Sequence, residues 1–578
     1  MIKLARFLKD FKKQVFLGPL FKLIEAIFEL IIPIIMARVI DIGVKNGDQP
    51  YVLKMGGVLV LLYIVGLCST LVCQRYAAQA SQGVGTKIRD QLYAHIMNFS
   101  HAEIDKFGSQ TLITRLTADV NQIQLAVAML IRLVVRAPFL VIGSIIVSMF
   151  IDLSLSTVFL VMTPVVAFVT WLIMSRSIPY YKALQKKLDK VSLLTGETLS
   201  GARVIRAFSK QQSESQKACA ATDDYRKTAM RVERLATLLN PLTFMLLNFA
   251  TIAVIWFGGF RVDSGTFTQG ELVAFVNYLS QISLALMVVA NLVVIFTRAS
   301  ASAARINEVF ETKTSIEDGS GEDICAQSEK QAPVVQFCHV FHSYGGEDSL
   351  SDINLEILPG QTVGIIGGTG SGKSTLINLI PRFYDVSSGS VFIDGLDVRE
   401  YRLEELRRKV SIVPQHTVLF NGTVESNLRL RDENASFSDL EQALEISQSK
   451  EFVDQLPGRL SAPIQEGGKN LSGGQKQRLT IARALVGHPQ ILILDDATSA
   501  LDYATDARLR RALASKLGLR ALVLVSQRAA SIRHADQIYV LDDGKIVGSG
   551  THDSLLSSCP IYYEICRSQS ILGKEEEK

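Results

Sequence analysis

The residues best suited to chemistry stand in one run: Gly367, Gly368, Thr369, Gly370, Ser371, Gly372, Lys373, Ser374 and Thr375. An apolar stretch (361–366) precedes them and another (376–380) follows, so the spacing GxxxxGK[ST] falls where a strand turns into a helix. Glycines in such a turn let backbone N–H groups face phosphate oxygens, Lys373 reaches the β and γ phosphates, and the Ser374 hydroxyl ligates Mg²⁺ at a helix N-terminus. Downstream, ILILDD (491–496) reads as a buried strand ending in acids, and Asp495 suits the Mg²⁺ carboxylate of a phosphoryl-transfer site. Between the two, Leu471, Ser472, Gly473, Gly474 and Gln475 open a further helix whose first amides offer a second phosphate-binding device. Alone, that SGGQ would be an ordinary helix cap; between the other two motifs it completes an NTPase core that takes ATP and Mg²⁺.

These motifs occupy only half of the chain. Its 578 residues exceed a single domain, and 48% hydrophobic against 20% charged residues is too apolar for disorder and high for a soluble enzyme. Lys plus Arg (60) nearly balances Asp plus Glu (56), a net +4 that excludes a nucleic-acid protein held by bulk positive charge. The seven cysteines are scattered without zinc spacing and read as reduced thiols.

Apolar runs near 15–40, 53–78, 126–151, 154–175, 236–260 and 271–297 are each long enough to cross a hydrocarbon core of about 30 Å as a helix. Basic residues crowd the N-terminus and residues 176–235, which predicts a cell-membrane protein, multi-pass, with both termini and the second half cytoplasmic. Leu4, Phe7, Leu8 and Phe11 oppose Arg6, Lys9, Lys12 and Lys13, the pattern of an interfacial helix, and no cleavable signal is seen. The expected organisation is an elbow helix over 1–13, a six-helix transmembrane domain with long cytoplasmic loops over 14–300, a linker over 301–333 and a nucleotide-binding domain over 334–578. In fold class this is a membrane all-α domain plus an α/β P-loop NTPase domain.

With the phosphate devices and the spans together, the whole chain resembles the ATP-binding cassette (ABC) transporters, in particular exporters whose half-unit fuses six membrane helices to one nucleotide-binding domain. The resemblance rests on the Walker A run (367–374), the Q-loop Gln415, the signature LSGGQ (471–475), Walker B ILILD (491–495) and the D-loop SALD ending in Asp502. It implies that Tyr344 stacks on adenine, that Ser374, Gln415 and Asp495 arrange Mg²⁺, and that 101–120 and 196–208 are coupling regions. It also implies a head-to-tail dimer in which the signature of one chain completes the ATP site of the other.

Two positions depart from the family pattern. Where a catalytic Glu usually follows Walker B, this chain has Asp496; where a switch His is usual, it has Gln527, and His534 stands too late to substitute. Asp is one methylene shorter, a retreat of about 1 Å that costs on the order of 100-fold in rate. Gln hydrogen-bonds but takes no proton. The expectation is therefore one subunit of a heterodimeric, multidrug-type exporter, with hydrolysis mainly at the partner's site. A homodimeric exporter with slow ATPase and a non-transporting ATP-gated regulator are the alternatives.

Within the spans, Glu25 and Glu29, and Arg132 and Arg136, are two i, i+4 pairs of charges. They pair with one another or line a wet vestibule, or else an acid attracts cationic amphiphiles. Asn240, Asn248, Asn277, Gln281 and Asn291 serve equally as interhelical hydrogen-bonding groups or as contacts for a small amphiphilic substrate (a drug or lipid).

Overall fold

The computed structural model describes residues 2–319, 332–497, 501–516 and 518–569. Contacts divide the chain into two units: residues 1–98 with 107–312, and 99–106 with 313–578.

The first unit is helical. Among the described residues, five stretches have the length and apolarity to cross a bilayer: Gln49–Met97, Ser109–Ile151, Leu153–Ser200, Gln211–Asp263 and Gln269–Glu311. The helix Lys12–Arg38 has the length too, but carries Lys22, Glu25 and Glu29 within it. At 1.5 Å per residue the 49-residue helix Gln49–Met97 is roughly 70 Å long, more than twice a hydrocarbon core, so about half of it lies beyond the spanning part. The bundle core gathers Ala26, Leu30, Leu140, Phe159, Val254, Phe275 and Tyr278. At the far end from it, Arg305 Nε donates 2.8 Å to Asp119, and Arg115 donates to the Arg305 carbonyl and to Glu308.

Two expectations need correction here. The helix Gln269–Glu311 continues eleven residues past 300, because Ala299, Ala303, Ile306 and Val309 keep an apolar stripe on one helical face and are buried, so no linker begins at 301. The N-terminal element Ile2–Phe11 is a 3₁₀-helix, whose three-residue turn stacks Leu4 on Phe7. Both are buried, and the Phe7 ring lies 6.4 Å from Phe310, so this part of its apolar face is covered by protein rather than free for lipid.

The second unit is α/β. Its main sheet runs Lys545–Gly550, Gln537–Asp542, Gln361–Gly367, Ala521–Ser526, Ile491–Asp495, Val410–Val413, all parallel except Lys545–Gly550. The strands Gln361–Gly367, Ile491–Asp495 and Ala521–Ser526 are buried almost throughout, as parallel strands covered on both faces must be. An antiparallel sheet orders Asp348–Ile357, Val335–Ser343, Ser388–Ile393 and Leu396–Asp397.

Candidate functional site

Ligands of open α/β sheets bind beyond the carboxyl ends of the parallel strands, and there a cleft of about 310 Å³ opens. Register decides what lines it. Ser526 pairs with Ile366 and Val525 with Asp495, so three strand ends arrive level and deliver the glycine loop, the two aspartates and Gln527 to one place. Thr369, Gly370, Gly372, Lys373, Ser374, Thr375 and Gln415 join Asp495, Asp496 and Gln527 in its wall.

The loop has the backbone that its glycines permit. Gly372 has φ +93°, and a Cβ there would stand 2.8 Å from Leu350 and 2.9 Å from the Ser349 carbonyl. The Lys373 ammonium is buried and donates to the carbonyls of Gly367 (3.0 Å) and Gly368 (2.5 Å) and to Ser371 Oγ (3.2 Å). Burial holds it below the usual lysine range, and Asp495 and Asp496 oppose that. Ser374 Oγ donates 3.3 Å to Asp495 Oδ2, the two oxygens facing each other as shared ligands of a hard cation would. Burial raises the carboxyls of Asp495 and Asp496 above the ordinary Asp range, with Lys373 among the groups opposing it. A desolvated ammonium, a hydroxyl–carboxylate pair and a glycine cradle fit a Mg²⁺–nucleotide.

Asp496 adopts φ +45°, its N–H bonds the Val525 carbonyl at 2.9 Å, and Ser526 Oγ reaches its Oδ1 at 3.4 Å. Gln527 is exposed beside it, its carbonyl accepting 2.8 Å from Gln569. Tyr344 follows the strand Val335–Ser343; its hydroxyl lies 3.3 Å from Thr375 Oγ1, and its ring stands edge-on to His342 and Tyr384, leaving it 56% exposed.

The signature stands apart from this cleft. Ser472 caps the helix Gly473–Leu485: its N–H donates 2.9 Å to Gln475 Oε1, and its hydroxyl accepts from the Gln475 N–H. Leu471 is buried, while Ser472 and Gly473 face outward with the helix amides. Asp502 accepts 2.9 Å from the Thr505 N–H at the start of the helix Tyr503–Lys516; Ser499 and Ala500 of the D-loop lie outside the described residues.

Sequence reasoning missed Ser349 and Ser526 in the cleft wall. Ser526 was findable as the last residue of a strand that neighbours the P-loop strand. Ser349 comes from the other sheet and carried no sequence signal.

In the membrane unit Glu25, Glu29 and Arg136 are paired. Lys22 Nζ donates 2.5 Å to Glu25, and Arg136 Nη2 donates to both oxygens of Glu29 at 2.7 and 2.8 Å. Gln281 Nε2 donates 3.1 Å to the Glu29 carbonyl. Asn240, Asn248, Asn277 and Asn291 are exposed, and Asn277 Nδ2 donates to the Val273 carbonyl of its own helix.

A nucleotide cleft on a parallel sheet, carried in one chain with a bundle of membrane-length helices, defines a membrane-bound ATPase of exporter architecture. Residues 15–286 match the ABC transporter transmembrane region and residues 350–499 the ABC transporter domain. The chain belongs to the ABC transporter family, as an exporter-type half-transporter. It is 36% identical over 573 residues to an ABC transporter ATP-binding protein of Mycobacterium tuberculosis (strain H37Rv), covering 98% of both chains. An ABC transporter ATP-binding protein of Bacillus subtilis (strain 168) is 34% identical over 578 residues, covering 100% of this chain and 99% of that one. An ATP-dependent lipid A-core flippase of Yersinia pestis is 30% identical over 538 residues, covering 93% and 92%. The fold matches that of a bacterial Atm1-family ABC exporter with ATP bound, at TM-score 0.79 and 23% identity over 98% and 99% of the two chains. ATP hydrolysis coupled to export, by a dimer in the membrane, is the activity of this architecture.

Proposed function

We propose that this chain is one half of a heterodimeric exporter of amphiphiles in the cell membrane, with its nucleotide-binding domain cytoplasmic and its own Walker site slow. The observation that carries this reading is Asp496 and Gln527 side by side in the cleft wall. The Asp496 backbone, just past the strand Ile491–Asp495, is fixed by its N–H bond to the Val525 carbonyl, so a side chain one methylene shorter than Glu reaches less far toward a γ phosphate.

In this reading Tyr344 stacks adenine, and the loop from Gly367 to Gly372 presents N–H groups to the phosphates. Lys373 exchanges the carbonyls of Gly367 and Gly368 for phosphate oxygens as nucleotide enters. Ser374, Gln415 and Asp495 would hold Mg²⁺, which neutralises phosphate charge when bound. Gln527 offers a hydrogen bond but no proton, and Asp496 polarises water weakly, so closed nucleotide persists at this site. The signature helix Gly473–Leu485, with its capping box intact, serves the partner's Walker site, where hydrolysis resets the alternating-access cycle.

The test is the ATPase rate of the purified chain in lipid nanodiscs. Near silence supports the proposal. Turnover on the order of 1 per second or faster by the chain alone would make it a self-sufficient homodimer.

A further inference from the structure

The loop that carries Gln527 is held from a distant part of the chain. Gln569 Nε2 donates 2.8 Å to the Gln527 carbonyl, and its Oε1 accepts 2.9 Å from the Ala529 N–H, so one carboxamide brackets the loop on both sides of Arg528. The Ala529 N–H opens the helix Ala529–Ile532, whose N-cap Arg528 supplies no side-chain bond. Ala529 and Ile532 are fully buried, and a first-turn N–H in such a place needs an acceptor other than water. Gln569 supplies it from 40 residues away. Toward the strand the loop is fixed as well: Ser526 Oγ accepts 3.0 Å from the Arg528 N–H and stands 3.4 Å from Asp496 Oδ1. The Gln527 side chain therefore leaves for the cleft wall from a backbone pinned at both ends.

Gln569 is itself firmly placed. It closes the helix Pro560–Ser568, on which Tyr562 and Cys566 are fully buried, in the same core as Ala529 and Ile532. Positions 562, 566 and 569 fall on one helical face. The Tyr562 hydroxyl also lies 2.8 Å from His552 Nδ1, which ties this helix to the helix His552–Ser558. A carboxamide suits the bracket because it donates and accepts from one planar group, whereas a carboxylate only accepts.

We propose that Gln569 is a positioning residue of the ATP site: it anchors the loop at Gln527 and thereby sets where the Gln527 side chain meets the γ phosphate. This rests on the reading of Gln527 given above. ADP lacks the group that Gln527 would meet, so loss of the bracket should be felt by ATP and not by ADP.

The test uses the full-length chain in lipid nanodiscs, with Mg²⁺. Affinities for ADP and for the non-hydrolysable β,γ-imido analogue of ATP are read by displacement of a fluorescent nucleotide, and the loop by amide exchange over 526–532. Gln569→Ala should speed that exchange about fivefold, the scale of one lost hydrogen bond, and weaken the ATP analogue by about the same factor. Unchanged ADP affinity shows that the variant is folded. Gln569→Glu keeps the acceptor for Ala529 and loses the donor for Gln527, so it should share the loss of ATP preference. Added to Gln527→Ala, Gln569→Ala should change that preference no further. Exchange at the wild-type rate in Gln569→Ala, equal weakening of both nucleotides, or an additive loss on top of Gln527→Ala overturns the proposal. So does a Gln569→Glu variant that binds like wild type while Gln527→Ala does not. Faster exchange in Gln569→Ala, with the ATP preference intact both there and in Gln527→Ala, would count against the reading of Gln527 while supporting Gln569 as the anchor of its loop.

Discussion

The Tyr384 phenol donates a 2.6 Å hydrogen bond to Asp105, joining the body of the nucleotide-binding unit to the segment 99–106 that packs with it. The same ring stands edge-on to Tyr344 with centroids 5.2 Å apart, so one side chain touches both Tyr344, proposed above to stack on adenine, and the segment 99–106. Tyr384→Phe keeps the ring and removes the bond. A hydrogen bond to a charged group is worth about 1.5 to 3 kcal/mol when buried; at this partly exposed site about 1 kcal/mol is expected, or roughly fivefold faster amide exchange over 99–106. Exchange at the wild-type rate would show that the bond does not hold the segment.

His101 gives that segment a pH dependence. Its ring stacks on Phe383 at 4.3 Å, with Tyr384, Arg407 and Asp105 around it. Burial, and then Arg407, hold its pKa below the ordinary 6.5, against the pull of Asp105. The packed state therefore prefers the neutral ring. Its contribution is complete above about pH 6.5 and fades as pH falls from there through the lowered value. Proteolytic nicking of 99–106 should rise between pH 7 and pH 5, and His101→Phe should flatten the rise; an equal rise in both proteins would place the cause elsewhere.

Restoring the two departures in the cleft should speed the enzyme. Asp496→Glu with Gln527→His is expected to raise the ATPase rate of the chain by about ten- to a hundredfold, the scale of a 1 Å displacement in a reacting group. A coupled assay in nanodiscs reads it directly. No gain would mean that the slowness, if found, lies outside this pair.

The facing of Ser374 and Asp495 predicts a specific loss. Ser374→Ala or Asp495→Asn should erase most of the difference between nucleotide affinity with Mg²⁺ and with EDTA, leaving the EDTA value nearly unchanged. Gly372→Ala should weaken affinity in both conditions, since its Cβ meets Leu350 and the Ser349 carbonyl at φ +93°. Fluorescent-nucleotide titration separates the two patterns.

Much of this was written into the order of the residues. Gly367 to Thr375, LSGGQ and ILILDD state their chemistry locally, because a phosphate cradle is built from a few consecutive backbone amides, and membrane spans announce themselves by the length of an apolar run. What depended on distant neighbours was hidden. Helical spacing put Glu25 and Glu29 on one face but could not say that Lys22 and Arg136 use them. The inward turn of Leu4 and Phe7 needed Phe310, some three hundred residues away, and Tyr384 looked like any loop aromatic until folding brought it to Asp105. Local sequence fixes backbone shape and side-chain period; which charge meets which is settled only when helices far apart in the chain pack together.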